Sequence, residues 1–199
     1  MLFEKVKEIL LRPKETWSKI KQEPTSLLQV LITYAMPLAL LPVVFGMLGF
    51  SLIGHRYGFG PVGGVFRIPI TYSLIWAIVS YVLTLVGLFI EGLVINALAP
   101  SFGSKQNLAN ACKLAVYAYT PAFIAGILNV IPALSVVVFL LSLYGIYLLF
   151  LGFPVMMETP SDKVLVYLIV TIIVIIVIFS IIGAVSGAIL SALWSPVLF

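Results

Sequence analysis

Long apolar stretches separated by short polar ones dominate the pattern of this chain. The longest, from Leu114 to Met157, contains no Asp, Glu, Lys, Arg or His. As a single helix at ~1.5 Å per residue it would be ~66 Å long, about twice the ~30 Å hydrocarbon thickness of a bilayer. Near its middle, the segment from Asn129 to Pro132 is the local break with turn chemistry, because Pro132 disfavours helical geometry at Ile131. The pattern therefore predicts a hairpin of two membrane-spanning helices.

Three further apolar stretches predict three further spans. They run from about Ser26 to Ile53, from Ile70 to Leu98 and from Val164 to about Leu193. Pro37 and Pro42 remove amide donors from the first of them, which predicts a kinked helix. The expected fold class is all-α: a polytopic membrane bundle of five transmembrane helices, residues 25–199, preceded by a short amphipathic segment, residues 1–24. Between the first two spans, residues 55–67 read as a glycine-rich loop.

The N-terminal segment places apolar and charged side chains on opposite faces at helical spacing, and Pro13 divides it into two short pieces. Such a segment can lie in the headgroup region, with Trp17 as an interfacial anchor. Two interpretations follow. The segment is either a surface helix that docks to membrane or to a partner, or a simple anchor that sets the topology. The apolar face consists of Leu2, Phe3, Val6, Ile9, Leu10, Trp17 and Ile20.

Composition agrees with an integral membrane protein. The 199 residues are 62% hydrophobic and 9% charged, with a mean hydropathy of +1.23, which lies outside the range of soluble domains. The net charge of +4 does not indicate nucleic-acid binding, because six of the 11 basic residues precede residue 22, next to a membrane crossing. The single cysteine, Cys112, excludes an internal disulfide.

The distribution of Lys and Arg predicts the orientation. With a cytoplasmic N-terminus, nine basic residues lie inside and only Arg56 and Arg67 lie outside, as the positive-inside rule requires. Five spans then place the C-terminus on the extracytoplasmic side. The inner nine are Lys5, Lys7, Arg12, Lys14, Lys19, Lys21, Lys105, Lys113 and Lys163.

Glu91 is the one acid embedded in an expected span. Because an unpaired polar group in hydrocarbon costs several kcal/mol, it needs a partner. Topology brings it near Lys113 and several tyrosines, so we expect a polar pocket between the second, third and fourth spans that opens to the cytoplasm. The alternative is that Glu91 is neutral or ion-paired and only holds the bundle together. The expected pocket residues are Glu91, Lys113, Tyr117, Pro121, Tyr144, Tyr147 and Pro154.

The second half of the fifth span carries small residues four apart, including Gly183 and Gly187 in a G-x-x-x-G pattern. This pattern is typical of close helix packing. The face is expected to pack inside the monomer, since five helices already offer partners. The alternative is a homo-oligomer formed through this span.

Motifs for catalysis are absent from the sequence. There is no nucleophile elbow, paired-histidine or paired-carboxylate pattern, and nothing indicates a cofactor. His55 is a lone histidine without metal-ligand partners, so no metal site is expected. The sequence therefore predicts a protein that is not an enzyme.

The hairpin at the centre of the chain resembles the Yip domain family, whose name comes from interaction with Ypt/Rab-type GTPases. The resemblance implies a polytopic membrane protein with five spans and an inside N-terminus, and eukaryotic members act in vesicle trafficking. With only residues 1–24 before the first span, the chain looks like a short prokaryotic member. The similar residues are 115–121, Gly126, Ile131, Pro132, 143–148 and 152–154, with Arg12, Pro13, Trp17, Tyr34, Pro37 and Leu38 nearer the N-terminus.

Two classes of function follow. The first is a non-enzymatic protein that organises membrane or binds a partner through its cytoplasmic face. The second is a small transporter or channel for an ion, small solute or lipid that uses the pocket around Glu91. The lipid bilayer is the expected partner in both, and a protein partner belongs to the first.

Overall fold

Among the residues that the structure describes, five helical segments are long and apolar enough to cross a membrane. The computed structural model describes residues 2–57 and 64–194, so the predictions for residues 58–63 and for the tail beyond Trp194 lie outside the described residues. The predicted class, an all-α bundle with five spans, is confirmed. In chain order the first to fifth spans are Leu27–Ile53, Ile70–Phe102, Leu108–Val130, Pro132–Met156 and Val164–Ile189.

Two helices precede the spans, α1 (Leu2–Leu11) and α2 (Pro13–Gln22). They are divided at Pro13, as predicted. Ion pairs from Lys5 to Glu23 (2.5 Å) and from Lys19 to Glu8 (3.1 Å) join one helix to the other, which makes the two antiparallel. We call this unit the N-terminal hairpin.

The N-terminal hairpin packs against the third and fourth spans instead of lying free on a membrane surface. Its buried side chains are Val6, Ile9, Pro13, Thr16, Trp17 and Ile20. Burial disfavours the charged form of Lys5, but the hydrogen bond and the charge of Glu23 outweigh that effect and raise the pKa of Lys5.

The first span is irregular. It consists of α3 (Leu27–Val30) and α4 (Met36–Leu48), each followed by a π-helical turn, Leu31–Ala35 and Gly49–Ile53. The first π turn comes directly before Pro37 at the start of α4, where an amide donor is missing, and Pro42 lies inside α4. The first span, which the prolines predicted to be kinked, is thus interrupted by two π-helical turns.

The second and fifth spans are long single helices, α5 (Ile70–Leu98) and α10 (Val164–Trp194), which pack against each other. A short 3₁₀ turn, Ala99–Phe102, extends the second span. The bounds of both helices lie within a residue of those predicted from hydropathy, because each begins just after a proline or a charged residue.

The third and fourth spans are built from shorter pieces: α6 (Leu108–Ala118), α7 (Thr120–Ala125), α8 (Ser135–Ser142) and α9 (Tyr144–Met156). Two 3₁₀ turns, Gly126–Val130 and Pro132–Leu134, form the bend between the spans. This bend lies at the position predicted from Pro132.

The third span is the central helix of the bundle. Every residue from Ala111 to Ala118 is buried, and α6 packs against both α5 and α9. It starts six residues before the apolar run, because the side chain of Asn107 caps the helix by accepting from the amide of Asn110 at 3.0 Å. Lys113 therefore lies within the helix, not at its entrance.

A two-stranded antiparallel sheet follows the first span. Strands β1 (His55–Tyr57) and β2 (Gly64–Phe66) pair His55 with Phe66. Gly54 precedes the sheet at φ 81, and a Cβ there would lie 2.5 Å from the carbonyl oxygen of Phe66. From the sequence we expected only a glycine-rich loop over residues 55–67.

Lysines gather at the end of the bundle that holds the 2–3 and 4–5 loops, which we call the basic end. Glu158 accepts from Lys21 at 2.8 Å and from Lys105 at 2.5 Å, so it joins the N-terminal hairpin to both loops. These two hydrogen bonds lower the pKa of Glu158 to about 2. The backbone of Glu158 has φ 52°, which is unusual for a residue other than glycine.

Candidate functional site

A cavity of about 550 Å³ lies among the middle parts of the second to fifth spans. We call it the Glu91 cavity. The third, fourth and fifth spans supply most of its wall, and the second contributes Glu91. Apolar side chains dominate the wall, and its polar side chains are Glu91, Tyr119, Ser142 and Ser180.

Close packing of the second span on the third buries Glu91. The next residue is Gly92, where a Cβ would lie 2.4 Å from Sγ of Cys112 and 2.8 Å from its Cα. Only glycine allows this approach, and it leaves Glu91 2% exposed. The close approach at Gly92 thus explains how the carboxyl group of Glu91 reaches the interior.

Glu91 has an unsatisfied oxygen. Its Oε2 is buried and has no hydrogen-bond partner among the described residues. In an apolar environment an unpaired polar group costs several kcal/mol, so a stable bundle gains by offering this atom a ligand. The arrangement is a carboxyl group at the wall of an apolar chamber.

The Glu91 cavity opens sideways. Its wall includes Phe139, Leu143 and Ile176, whose side chains are 62%, 41% and 59% exposed, so they form a rim between the fourth and fifth spans. Deeper in, Tyr119 stacks on Phe179 with ring centroids 5.0 Å apart. The rim belongs to the apolar surface that lipid covers in a membrane. The expected opening was at the cytoplasmic end, but no residue of the loops at the basic end lines the cavity.

Lys113 is not the partner of Glu91. Its Nζ donates to the carbonyl oxygens of Glu23 at 2.8 Å and Ile20 at 3.3 Å. These carbonyls belong to the C-terminal end of α2, where orphan acceptors favour a cation. Of the two kinds of partner expected for Glu91, Lys113 or a tyrosine hydroxyl, Lys113 is therefore wrong. Lys113 instead fastens the N-terminal hairpin to the third span.

Tyr117 belongs to a buried aromatic and hydroxyl cluster outside the Glu91 cavity. Its ring lies 4.3 Å from that of Tyr34 and 6.4 Å from that of Trp17. Pro121 cannot donate to the carbonyl oxygen of Tyr117, and the hydroxyl of Thr120 does so instead at 2.7 Å. Thr120 also shares a hydrogen bond of 2.8 Å with Tyr34. The carbonyl that proline frees is thus satisfied inside the bundle.

The remaining expected pocket residues lie elsewhere. Pro121 and Tyr144 line a second, apolar groove of about 490 Å³ beside the N-terminal hairpin. Tyr147 is 43% exposed and contacts Tyr144, while Pro154 is exposed on α9. Of the seven expected residues, Glu91 alone lines the Glu91 cavity.

Two further expectations need correction. Trp17 is fully buried, so it is a packing residue in the core and not an interfacial anchor. At Gly183 and Gly187 a Cβ would meet nothing within 4 Å, so this face is not packed inside the monomer. Both residues point to open space, because the fifth span contacts the second span through another face. On that face the hydroxyl of Ser80 donates a hydrogen bond of 3.2 Å to the hydroxyl of Ser186.

Sequence reasoning missed Ser142, Ser180 and Tyr119 as neighbours in one cavity. Tyr119 and Ser180 were visible as polar residues within apolar runs, but nothing in the sequence pairs residues of different helices. Only the crossing of the spans brings these side chains to one wall.

Fold and site together define a class: a multi-pass α-helical membrane protein with a carboxyl group buried at an internal cavity. A model of the Yip1 domain matches residues 7–182. The chain therefore belongs to the Yip1 domain family, and the resemblance seen in the sequence is confirmed.

The chain is also similar to the inner membrane protein YohC of Escherichia coli. Over 137 residues the two are 26% identical, and the matched region covers 65% of this chain and 67% of that protein. The same protein from a second strain of that species matches equally. No solved structure matches the chain significantly.

Proposed function

We propose that this chain is a non-enzymatic membrane protein that binds a membrane-dissolved ligand in the Glu91 cavity. The observation that carries the proposal is Glu91 itself: the residue lines an apolar cavity, and its Oε2 is buried with no hydrogen-bond partner among the described residues. A ligand that hydrogen-bonds this oxygen would remove the cost of leaving it unpaired.

The wall favours an amphiphile with an apolar body and one hydrogen-bond donor or cationic group. Apolar side chains form most of the wall, so burial of an apolar body supplies most of the binding free energy. Glu91 then supplies the polar contact that orients the ligand. A long-chain amine has this chemistry, whereas a long-chain alcohol has a weaker donor.

The rim between the fourth and fifth spans supports entry from the bilayer. Because Phe139, Leu143 and Ile176 are exposed on the lipid-facing surface, a lipophilic ligand can reach Glu91 without crossing water. A hydrated ion has no comparable route along the cavity residues. Of the transport candidates, the geometry therefore favours a lipophilic solute over an ion.

The test uses purified protein in nanodiscs and measures the binding of dodecylamine, dodecanol and dodecanoate. We expect dodecylamine to bind most tightly and to bind at least about tenfold more weakly to Glu91→Gln, since a buried charged hydrogen bond contributes about 1.5–3 kcal/mol. Glu15→Gln is the matched control, because it makes the same change at an exposed position of α2.

Leu143→Trp is a second variant, which narrows the rim without touching Glu91. It should weaken binding of both dodecylamine and dodecanol. Equal dodecylamine affinity for the parent protein and Glu91→Gln would refute the proposal, as would saturable binding that neither variant changes.

Organisation of membrane or of a protein partner at the cytoplasmic face is the second candidate function. The observation that favours it is the outer face of α1, where Phe3 and Leu11 are 78% and 68% exposed with Lys7 between them. Photo-crosslinking from position 3 tests it in intact cells. A discrete adduct that Lys7→Glu abolishes and Lys163→Glu preserves would support this function, and only diffuse lipid adducts would count against it.

A further inference from the structure

The second groove lies beside the turn of the N-terminal hairpin. It has a volume of about 490 Å³, and its walls come from the third and fourth spans and from Leu10. The hydroxyl of Tyr144 donates to the carbonyl oxygen of Leu10 at 2.9 Å, which leaves the groove almost entirely apolar. Its walls include Leu10, Pro121, Ile124, Leu128, Leu141 and Tyr144.

Unpaired cations surround this turn. Arg12 is the residue between α1 and α2, Lys14 follows in the first turn of α2, and both are exposed. Lys7 is exposed one helical turn before Leu11. In the described parts of the chain, no ion pair includes any of these three cations, whereas Lys5, Lys19, Lys21 and Lys105 each pair with a glutamate.

Two exposed acids lie near these cations, Glu15 next to Lys14 and Glu4 one turn before Lys7, while Glu8 pairs with Lys19. The three cations outnumber the two acids, so the turn keeps an excess of positive charge. Charge of this sign next to an apolar groove complements a phosphate joined to a hydrocarbon chain.

The turn also lies at a suitable height on the bundle. Large exposed apolar side chains run from Ile131, just before the fourth span, to Phe150, a length of ~29 Å at ~1.5 Å per residue, which is close to the ~30 Å hydrocarbon layer. Tyr144, which holds the turn, is ~9 Å inside the Phe150 end by the same rise. Long basic side chains bridge this depth by extending towards the headgroups.

We propose that this turn and groove bind one anionic phospholipid. Arg12 and Lys14 hold the phosphate, and Lys7 adds to the local positive charge. One acyl chain lies in the groove along Ile124 and Leu141. The guanidinium of Arg12 suits phosphate because its planar donors bind two oxygens at once. The site is separate from the Glu91 cavity and does not depend on the ligand proposed there.

The test is native mass spectrometry of the purified full chain, titrated with dioleoyl phosphatidylglycerol or dioleoyl phosphatidylcholine. We expect tighter binding of phosphatidylglycerol. The double variant Arg12→Gln/Lys14→Gln should weaken its binding at least about tenfold, because it removes two basic side chains that attract anionic lipid. Lys163→Gln is the control, since it removes an exposed cation at the basic end far from the groove.

A second variant tests the acyl-chain part of the site. Leu141 is 49% exposed and lines the groove, so Leu141→Trp fills space without removing charge. We expect Leu141→Trp to weaken phosphatidylglycerol binding. The double variant Arg12→Gln/Lys14→Gln should unfold at the same temperature as the parent, because both of its substitutions are at exposed positions. Glu91→Gln should bind phosphatidylglycerol as the parent protein does.

Three outcomes would overturn the proposal. If the parent and the double variant bind phosphatidylglycerol with equal affinity, Arg12 and Lys14 do not bind its phosphate. If Leu141→Trp binds phosphatidylglycerol with unchanged affinity, the groove does not hold its acyl chain. Inorganic phosphate or glycerol 3-phosphate that competes fully at equal concentration would identify a plain anion site, because neither carries an acyl chain.

Discussion

Trp17 stands edge-on to Tyr117, with ring centroids 6.4 Å apart and ring planes at 80°. On its other side a Cβ at position 152 would lie 2.9 Å from the indole, so Gly152 makes room for it. One side chain of the N-terminal hairpin thus fills a site formed by the third and fourth spans. This contact makes the hairpin part of the membrane domain's core.

Trp17→Ala should therefore destabilise the whole bundle. Removing a buried tryptophan costs about 3–5 kcal/mol in free energy of unfolding, through lost burial and an unfilled cavity. Thermal unfolding in detergent and limited proteolysis of the first 25 residues measure the effect. Phe3→Ala is the control, because Phe3 is 78% exposed and should shift stability by less than about 0.5 kcal/mol. A stable Trp17→Ala protein with a protease-resistant hairpin would contradict this role.

Hydropathy was sufficient to predict the five spans and the break at Pro132, because each crossing needs a long apolar segment. The position of Pro13 also predicted where the N-terminal segment divides into two helices. It did not predict that Trp17 is buried, since an amphipathic helix can present its apolar face to lipid or to protein with the same pattern. The β1–β2 pairing was missed because its strands are only three residues long.

Lys113→Met should loosen the N-terminal hairpin and leave the Glu91 cavity intact. Lys113 donates to the carbonyl oxygens of Glu23 and Ile20, and charged hydrogen bonds of this kind contribute about 1.5–3 kcal/mol. We expect faster proteolysis at the hairpin and unchanged dodecylamine affinity. Loss of dodecylamine binding as large as that of Glu91→Gln would instead link Lys113 to the cavity.

Stability should depend on pH through Glu158. Hydrogen bonds from Lys105 and Lys21 lower the pKa of Glu158 from 4.5 to about 2. A group whose pKa is lower in the folded state stabilises the fold fully above its unfolded pKa, and that contribution disappears as pH falls through the folded pKa. The melting temperature of the parent should exceed that of Glu158→Gln by a constant amount above pH 5.5.

Between about pH 4.5 and 2 that difference should shrink towards zero, because Glu158 takes up a proton and loses its charge. Differential scanning fluorimetry of both proteins across this range measures it, and high salt should reduce it at neutral pH. A difference that grows on acidification would contradict the ion-pair assignment.

Two glycines in long helices should respond oppositely to alanine. At Gly92 a Cβ would lie 2.4 Å from Sγ of Cys112, so Gly92→Ala should destabilise the protein by about 1–3 kcal/mol. At Gly187 a Cβ meets nothing within 4 Å, so Gly187→Ala should be neutral or slightly stabilising in the monomer. Thermal unfolding of the two variants in detergent compares them directly.

The same open face decides whether two copies associate. If the G-x-x-x-G of the fifth span forms a homo-oligomer, Gly187→Leu should remove it, because close backbone approach needs a small residue. Cross-linking in membranes and light scattering in detergent measure the oligomeric state. An oligomer that survives Gly187→Leu would place its interface elsewhere, and a parent protein that is monomeric in membranes would remove the hypothesis.

The candidate site was only partly predictable for a physical reason. A single acid within an apolar span is conspicuous, so Glu91 was identified from the sequence alone. Its surroundings depend on which helix faces contact one another, and in an apolar bundle many faces are chemically alike. Lys113 illustrates this limit, because a backbone acceptor at the end of α2 competes for it as well as any carboxylate does, and backbone acceptors leave no mark in a sequence.

Cysteine labelling tests the predicted orientation, in which the basic end of the bundle is cytoplasmic. Cys112 is buried, so Cys112→Ala should provide a silent background. Ser101 is exposed in the 3₁₀ turn where the second span reaches the basic end, and Val65 is 52% exposed at the opposite end. If the basic end is cytoplasmic, Val65→Cys should react with a membrane-impermeant maleimide in intact cells and Ser101→Cys only after lysis. Labelling of Ser101→Cys in intact cells would reverse the topology, and would turn the phospholipid proposed at the hairpin turn into one of the outer leaflet.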